Sequence, residues 1–224
     1  MSMALKIIIT GTTGMVGEGV LLHCLNAPRV EKVISLSRRS ARLTHQKLTE
    51  LLVPDFMELD AVQSQLAGYD ACLWCAGISS VGLSEADYTR TTYDTPLHVA
   101  AVLARLNPGM VMVHVSGRST DSTEQGKVMW ARVKGRAENA LMKLPFKAVY
   151  NFRPALMKPV AGQKKVKPAF KPVLWLYPVW KALFPGSAMT LDEVGQAMLR
   201  CVIEGAPKHV LEVADMQELA RRAL

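Results

Sequence analysis

The sequence predicts an α/β fold built on a doubly wound parallel sheet, and three observations predict it. A β-branched run opens the chain, with Ile7-Ile8-Ile9-Thr10 leading straight into the glycine turn Gly11-Thr12-Thr13-Gly14-Met15-Val16-Gly17. Short apolar runs then alternate with amphipathic stretches, which implies right-handed crossovers between parallel strands. Finally, 224 residues, 50% hydrophobic and 21% charged, suit one domain with a sizeable core. Residues 1–224 therefore read as a single domain, without internal repeat, low-complexity tract or linker.

The elements follow in order. Ile7, Ile8 and Ile9 suit a strand covered on both faces. Gly11 permits a tight turn, Gly14 lets backbone approach a ligand, and Gly17 lets the helix pack against the strand. The free amides of that helix start favour a phosphate. The spacing is G-x-x-G-x-x-G, distinct from the common G-x-G-x-x-G. Met15 to Leu25 is a helix with Val16, Val20, Leu21, Cys24 and Leu25 on its buried stripe, ended by Asn26-Ala27-Pro28. Lys32 to Ser37 is the second strand, followed by Arg38-Arg39-Ser40. Thr44 to Leu52 reads as a short helix, and Val53-Pro54-Asp55-Phe56 takes the place of a short third strand. Leu59 to Ala67 reads as a helix ended by Gly68, and Asp70 to Gly77 as the fourth strand with its exit loop. Ser84-x-x-Asp87, a loose capping box, opens a helical stretch that runs to Leu106 and is interrupted near Pro96.

Met110 to Ser116 is the fifth strand, Gln125 to Met142 the next helix, and Phe146 to Phe152 the sixth strand, closed by Arg153-Pro154. Residues 157–188 are irregular. Pro159, Pro168, Pro172, Pro178 and Pro185 punctuate them, with Trp175, Tyr177, Trp180 and Phe184 between, and prolines this frequent forbid a long helix. Thr190-x-x-Glu193 is a capping box for a helix to Glu204. His209 to Val213 is the last strand, and Asp215 to Arg222 a final helix with an acidic start and a basic end, as the helix dipole favours.

The 27 basic and 19 acidic side chains give a net charge of +8. Much of the excess sits at Lys158, Lys164, Lys165, Lys167, Lys171 and Lys181. A nucleotide cofactor and a solvated basic loop account for it without nucleic acid, since no recognised nucleic-acid module is present. The same lysines, mixed with Trp and Tyr, also suit a membrane surface. The longest apolar run, Val173 to Trp180, is far short of the roughly 20 residues that span a bilayer. The N-terminus shows neither a basic n-region nor a cleavage site, so a cytoplasmic protein is expected. Cys24, Cys72, Cys75 and Cys201 form no disulfide framework. Cys72 and Cys75, three apart on a strand, would point to opposite faces and could not share a metal. His23, His45, His98, His114 and His209 lack ligand spacing, so no metal is expected; His114, in mid-strand, reads as a core residue.

In dinucleotide folds a carboxylate ending the second strand holds the ribose 2′-hydroxyl, whereas an arginine accommodates a 2′-phosphate. Here Ser37, Arg38 and Arg39 stand there and no acid does, which favours NADP over NAD. The T-G-T-T-G-M-V-G segment resembles the extended and atypical branches of the short-chain dehydrogenase/reductase superfamily. Val133-Lys134-Gly135 with Glu138 resembles its Tat-interacting-oxidoreductase-like branch, and the likeness runs from Leu5 to Pro154 and again over Thr190 to Val213. The resemblance implies a Rossmann-type sheet, adenine contacts at Asp55 and Phe56, and cofactor riboses facing Cys75, Ala76 and Gly77. It also adds Arg153 and Pro154 to the cofactor set and makes residues 157–188 a substrate lid.

Family chemistry uses a serine after the fifth strand and Tyr-x-x-x-Lys on the next helix, the tyrosine as acid/base and the lysine on the nicotinamide ribose. Ser116 and Lys134 match, but Trp130 stands one turn before Lys134 where tyrosine is expected. An indole N–H donates a hydrogen bond but cannot exchange a proton at useful pH. Trp130 then reads as a pocket wall, Ser116 as either a catalytic hydroxyl or a strand-end turn residue, and Tyr93 or Tyr88 as a substitute phenol. Two functions follow as expectations. One is an NADP-dependent oxidoreductase or isomerase/epimerase-like enzyme on a small apolar substrate. The other is a catalytically silent NADP(H)-binding sensor that acts on a regulatory protein partner.

Overall fold

The computed structural model describes residues 4–166 and 174–222. Seven parallel strands form one sheet in the order β3-β2-β1-β4-β5-β6-β9. They are β1 (Leu5–Thr10), β2 (Val30–Ser37), β3 (Leu48–Leu52), β4 (Ala71–Trp74), β5 (Val111–Val115), β6 (Ala148–Arg153) and β9 (Val210–Glu212). Helices α1 (Met15–Asn26), α3 (Thr95–Leu106), α4 (Met129–Leu141), α6 (Leu191–Glu204) and α7 (Val213–Arg221) cover the sheet. The doubly wound α/β fold expected from the sequence is present.

Alternation along β1 shows why both faces are covered. Ile7 and Ile9 enter one core with Val20, Leu21 and Val194 from α1 and α6. Ile8 enters the other core with Val99 and Leu103 from α3. The strand order reverses between β1 and β4. A crevice opens at such a switch point, outside the carboxyl ends of the strands, and this locates the site.

Several local expectations are corrected. The third strand is Leu48–Leu52, within the stretch expected to be helical, and Val53–Phe56 is loop. Leu-Thr-Glu-Leu-Leu satisfies either period, and pairing with β2, from Val33 with Leu48 to Ser37 with Leu52, decides for strand. Of the helix expected over Leu59–Ala67, only a single 3-10 turn forms, at Gln63–Leu66. Asn107 explains that short turn: its Oδ1 accepts from the Gly68 and Tyr69 amides, and its Nδ2 donates to the Leu66 carbonyl. Helix α4 starts at Met129 and not Gln125, because Asp121 organises the preceding loop by accepting from the Thr123 and Gly126 amides.

The stretch after Ser84 is helix α2 (Glu85–Thr89), a π turn at Arg90–Asp94, and then α3 with Pro96 in its first turn. Ser84 caps α2 by accepting from the Asp87 amide at 3.1 Å. The Thr190 capping box forms in full. A two-stranded parallel sheet, β7 (Leu156–Lys158) with β8 (Ala188–Thr190), was not legible in advance. It brackets the expected lid. Within that span, Pro178 stands at the start of the seven-residue helix α5 (Tyr177–Leu183), while Lys167, Pro168, Lys171 and Pro172 lie outside the described residues.

Candidate functional site

The glycine turn is built to a tolerance that explains its spacing. Gly11 sits at φ +70°, and a Cβ there would lie 2.6 Å from the Cys75 carbonyl and the Ala76 nitrogen. A Cβ on Gly17 would lie 2.1 Å from the Gly11 carbonyl oxygen. Gly17 thus lets α1 close onto the turn itself rather than onto the body of the strand. Thr10 locks the opposite wall, its hydroxyl accepting from the Cys75 and Ala76 amides at 3.2 Å. Gly14 begins α1 without any side-chain cap. The first-turn amides, which have no intrahelical partner, stay available to an anion there.

Outside this turn lies a cleft of about 590 Å³. Gly11, Thr13 and Gly14 form its floor. Ser37, Arg38 and Arg39 line one side with Asp55 and Phe56, and Cys75, Ala76 and Gly77 line the other. Eleven of the expected cofactor residues therefore meet at one surface. The remainder of the turn does not line the cleft. Thr12 is buried, its hydroxyl 2.6 Å from that of Ser35, and Met15, Val16 and Gly17 belong to the helix behind.

Arg38 and Arg39 are exposed and have no carboxylate partner among the described residues. The acid nearest in sequence on the adjoining strand, Glu50, is already engaged. It accepts from the Ser40 hydroxyl and the Ala41 amide, both at 2.6 Å, and so holds the loop that carries the two arginines. Sequence reasoning missed a fourth wall made by Asp87, Arg90, Thr91 and Thr95. The spacing of Asp87, Thr91 and Thr95, four apart, was the available signal, since such residues share a helix face. Trp74 and Ile78, flanking the expected Cys75-Ala76-Gly77, also line the cleft.

Ser116, Lys134 and Trp130 are not on the lining of this cleft. The Lys134 ammonium donates to the Ser116 carbonyl at 3.2 Å, and the Ser116 hydroxyl is 3.0 Å from that of Thr120. Burial pushes the Lys134 pKa below its ordinary value, against the pull of Glu138 one turn on. Trp130 is half-buried and its indole N–H has no acceptor among the described residues. Neither candidate substitute tyrosine reaches the cleft lining. Tyr88 is buried, which raises its pKa, and Tyr93 lies under the Arg136 guanidinium, 4.8 Å from its ring centre.

Arg153 is corrected. Its guanidinium is consumed by a buried fork: Nε donates to Glu138 at 3.0 Å, Nη2 donates to the other Glu138 oxygen and to Ser122 at 2.6 Å, and Nη1 reaches Glu212. It holds α4, the β5–α4 loop and β9 to the end of β6, and does not line the cleft. Pro154 is buried beside it, its carbonyl accepting from the Arg118 amide at 3.0 Å.

The other cysteines and His114 are buried in the core. Cys72 packs on one face of the sheet and Cys75 against the other. Burial pushes the thiols of Cys24, Cys72 and Cys201 up to about 12. His114 Nδ1 is 2.9 Å from Asn151 Oδ1, and burial, reinforced by the Lys134 charge, lowers its pKa to about 4. No group of three His, Cys, Asp or Glu converges among the described residues.

Comparison with known proteins agrees with the fold. The family model described as the NAD dependent epimerase/dehydratase family matches residues 7–127, more than half of the chain. No curated protein matches. Among solved structures, the Bordetella bronchiseptica enzyme WbmF in complex with NAD+ superposes with a TM-score of 0.66 at 16% identity, covering 97% of this chain and 77% of that one. UDP-N-acetylglucosamine 4-epimerase from Methanobrevibacter ruminantium M1, in complex with UDP-N-acetylmuramic acid, gives 0.67 at 14% identity, covering 96% and 81%. Glucuronic acid dehydrogenase from Chromohalobacter salexigens gives 0.65 at 15% identity, covering 93% and 76%. At these identities the likeness is one of fold.

Proposed function

The chain belongs to the NAD dependent epimerase/dehydratase family, within the short-chain dehydrogenase/reductase superfamily, and on that premise we propose that its cleft holds NADP(H) and serves an oxidoreductase or epimerase-like reaction on a small apolar substrate. The observation that carries the cofactor reading is the pair of guanidiniums, Arg38 and Arg39, on the wall beside the glycine turn, with no carboxylate partner among the described residues. A 2′-phosphate supplies the anion they lack, and a guanidinium binds it through paired hydrogen bonds. The crowding at Gly11 and Gly17 fits a cradle kept bare for a pyrophosphate. When bound, the nicotinamide would supply or accept the hydride. Lys134 would hold the nicotinamide ribose from α4, and Ser116 would stand at the strand end beside it.

Titration with NADPH and NADH, on the wild type and on Arg38→Ala, tests this. Loss of one charge-assisted contact is worth about 1.5–3 kcal/mol, so NADPH affinity should fall more than tenfold while NADH affinity stays put. An intact NADPH preference in the variant sinks the reading of that wall.

A second reading is favoured by one feature. With Trp130 in the tyrosine position, and Tyr88 and Tyr93 both off the cleft lining, no phenol among the described residues lines it. The protein would then be a silent NADP(H) sensor that signals to a protein partner through residues 157–188. Limited proteolysis of that segment with and without NADPH separates the two, and unchanged cleavage removes support for the sensor.

A further inference from the structure

Helix α5 is amphipathic the wrong way round for a core helix. Tyr177 and Lys181, one turn apart, face the body of the protein. Tyr177 is 4% exposed, and the Lys181 ammonium is 3.0 Å from Glu193 on α6. Val179 and Leu183, four apart, lie on the opposite face of α5, while Trp180 on its flank and Trp175, Leu176 and Phe184 just outside the helix add further apolar side chains. These are exposed: Trp175 by 81%, Val179 by 58% and Leu183 by 68%. Apolar side chains of this size normally point at a core, and six exposed between Trp175 and Phe184 mark an interaction surface. None of these six residues lines the cofactor cleft.

The charge around the patch selects its occupant. Between Glu138 and Asp192 the sequence contains no Asp or Glu at all, while Lys158, Lys164, Lys165 and Lys181 lie in that span. The Lys158 ammonium sits 5.3 Å from the Tyr177 ring centre, at the side of α5, and has no carboxylate partner among the described residues. Lys164 and Lys165 are exposed, and their backbone amides are fixed by the Glu18 carboxylate on α1. A second copy of this chain would bring the same acid-free stretch to the face, with no carboxylate of its own to pair Lys158. An anionic lipid surface instead offers apolar depth to these side chains and negative charge to Lys158 and the other lysines of the acid-free stretch, and tryptophans favour its headgroup level.

We propose that α5 is a peripheral membrane anchor that seats the protein on an anionic bilayer surface. The helix lies in the interface plane without crossing, since none of the described helices is long and apolar enough to span. Attachment does not depend on the cofactor reading.

The test is sedimentation of the purified full chain with phosphatidylcholine vesicles, alone or with about a quarter phosphatidylglycerol as the anionic lipid, at low and high salt. Tryptophan emission is followed in parallel. The expected result is binding to anionic vesicles at low salt with a blue shift, weakened by salt. Replacing two inserted side chains in V179E/L183E should weaken binding by at least about tenfold. Both positions are exposed, so circular dichroism should be unchanged. No association with anionic vesicles at low salt overturns the proposal. So does equal binding by V179E/L183E, which would leave charge alone as the cause. A wild-type dimer that V179E/L183E dissociates also overturns it, because a second copy would then cover the face.

Discussion

Replacing Glu138 by Gln tests whether Arg153 is a structural cation. Glu138 is wholly buried, and both of its oxygens accept from one guanidinium. Glutamine keeps one acceptor but turns an N–H₂ toward an Arg153 N–H, so a bond becomes a donor–donor clash and the arginine charge loses its buried partner. Breaking a buried pair on one side costs about 3–5 kcal/mol. Glu212, half-exposed at 3.4 Å, still offers partial compensation, which favours the low end. For a domain of this size, about 3 kcal/mol corresponds to a midpoint lowered by roughly 6–12 °C. Urea denaturation measures the loss, and NADPH titration well below the midpoint should show unchanged affinity. The companion double variant, E138Q/R153M, should be less destabilised than the sum of its singles. A cost below about 1 kcal/mol for E138Q, as for a solvated pair, would refute the desolvated fork. A folded E138Q/R153M protein that no longer binds NADPH would restore Arg153 to the cofactor site.

Three further outcomes follow from burial and close packing elsewhere in the protein. Gly135→Ala places a Cβ 1.8 Å from the Asp121 carbonyl oxygen, and since backbone must move, a loss of about 1–3 kcal/mol is expected by thermal melting. His114 has a folded pKa near 4 against 6.5 unfolded. The unfolded chain therefore binds the extra proton between those values, and stability rises with pH across that window by about 3 kcal/mol. His114→Gln should flatten that part of the stability–pH curve relative to wild type, and an unaltered slope would contradict the burial. Trp130→Tyr, with NADPH and a panel of aldehydes, ketones and quinones, should show reductase turnover above wild type if only the proton donor is missing.

What the sequence made legible was local. Ile7 to Gly17 declares a strand, a turn and a helix because β-branched residues and glycines each act within a few positions. The Thr190 capping box was readable for the same reason. What escaped depends on distance along the chain. Leu48–Leu52 becomes a strand only through β2. The short turn before Tyr69 is set by Asn107, some 40 residues later. Arg153 follows a strand in the manner of a ligand, but its partner Glu138 comes from the preceding helix and Glu212 from the far edge of the sheet. Asp87, Thr91 and Thr95 were visible as a helix row, yet nothing local said that the row faced the glycine turn.

These outcomes bear unequally on the two halves of the site. The cofactor half is over-determined. Gly11 and Gly17 have no room for a Cβ, Thr10 pins the opposing loop, and Glu50 fixes the loop that carries the arginines, so single surface changes there should retune affinity without dismantling the cleft. The half around α4 is held just as firmly, through Gly135 against Asp121 and Glu138 against Arg153, but that rigidity presents an indole where a titrating phenol is expected. A scaffold that keeps Lys134 desolvated over the Ser116 carbonyl retains the electrostatics that tune a neighbouring acid. If Ser116 and Lys134 have the proposed roles, one altered side chain separates the site from the family pattern, and Trp130→Tyr is a more discriminating probe of catalysis than deletion of either.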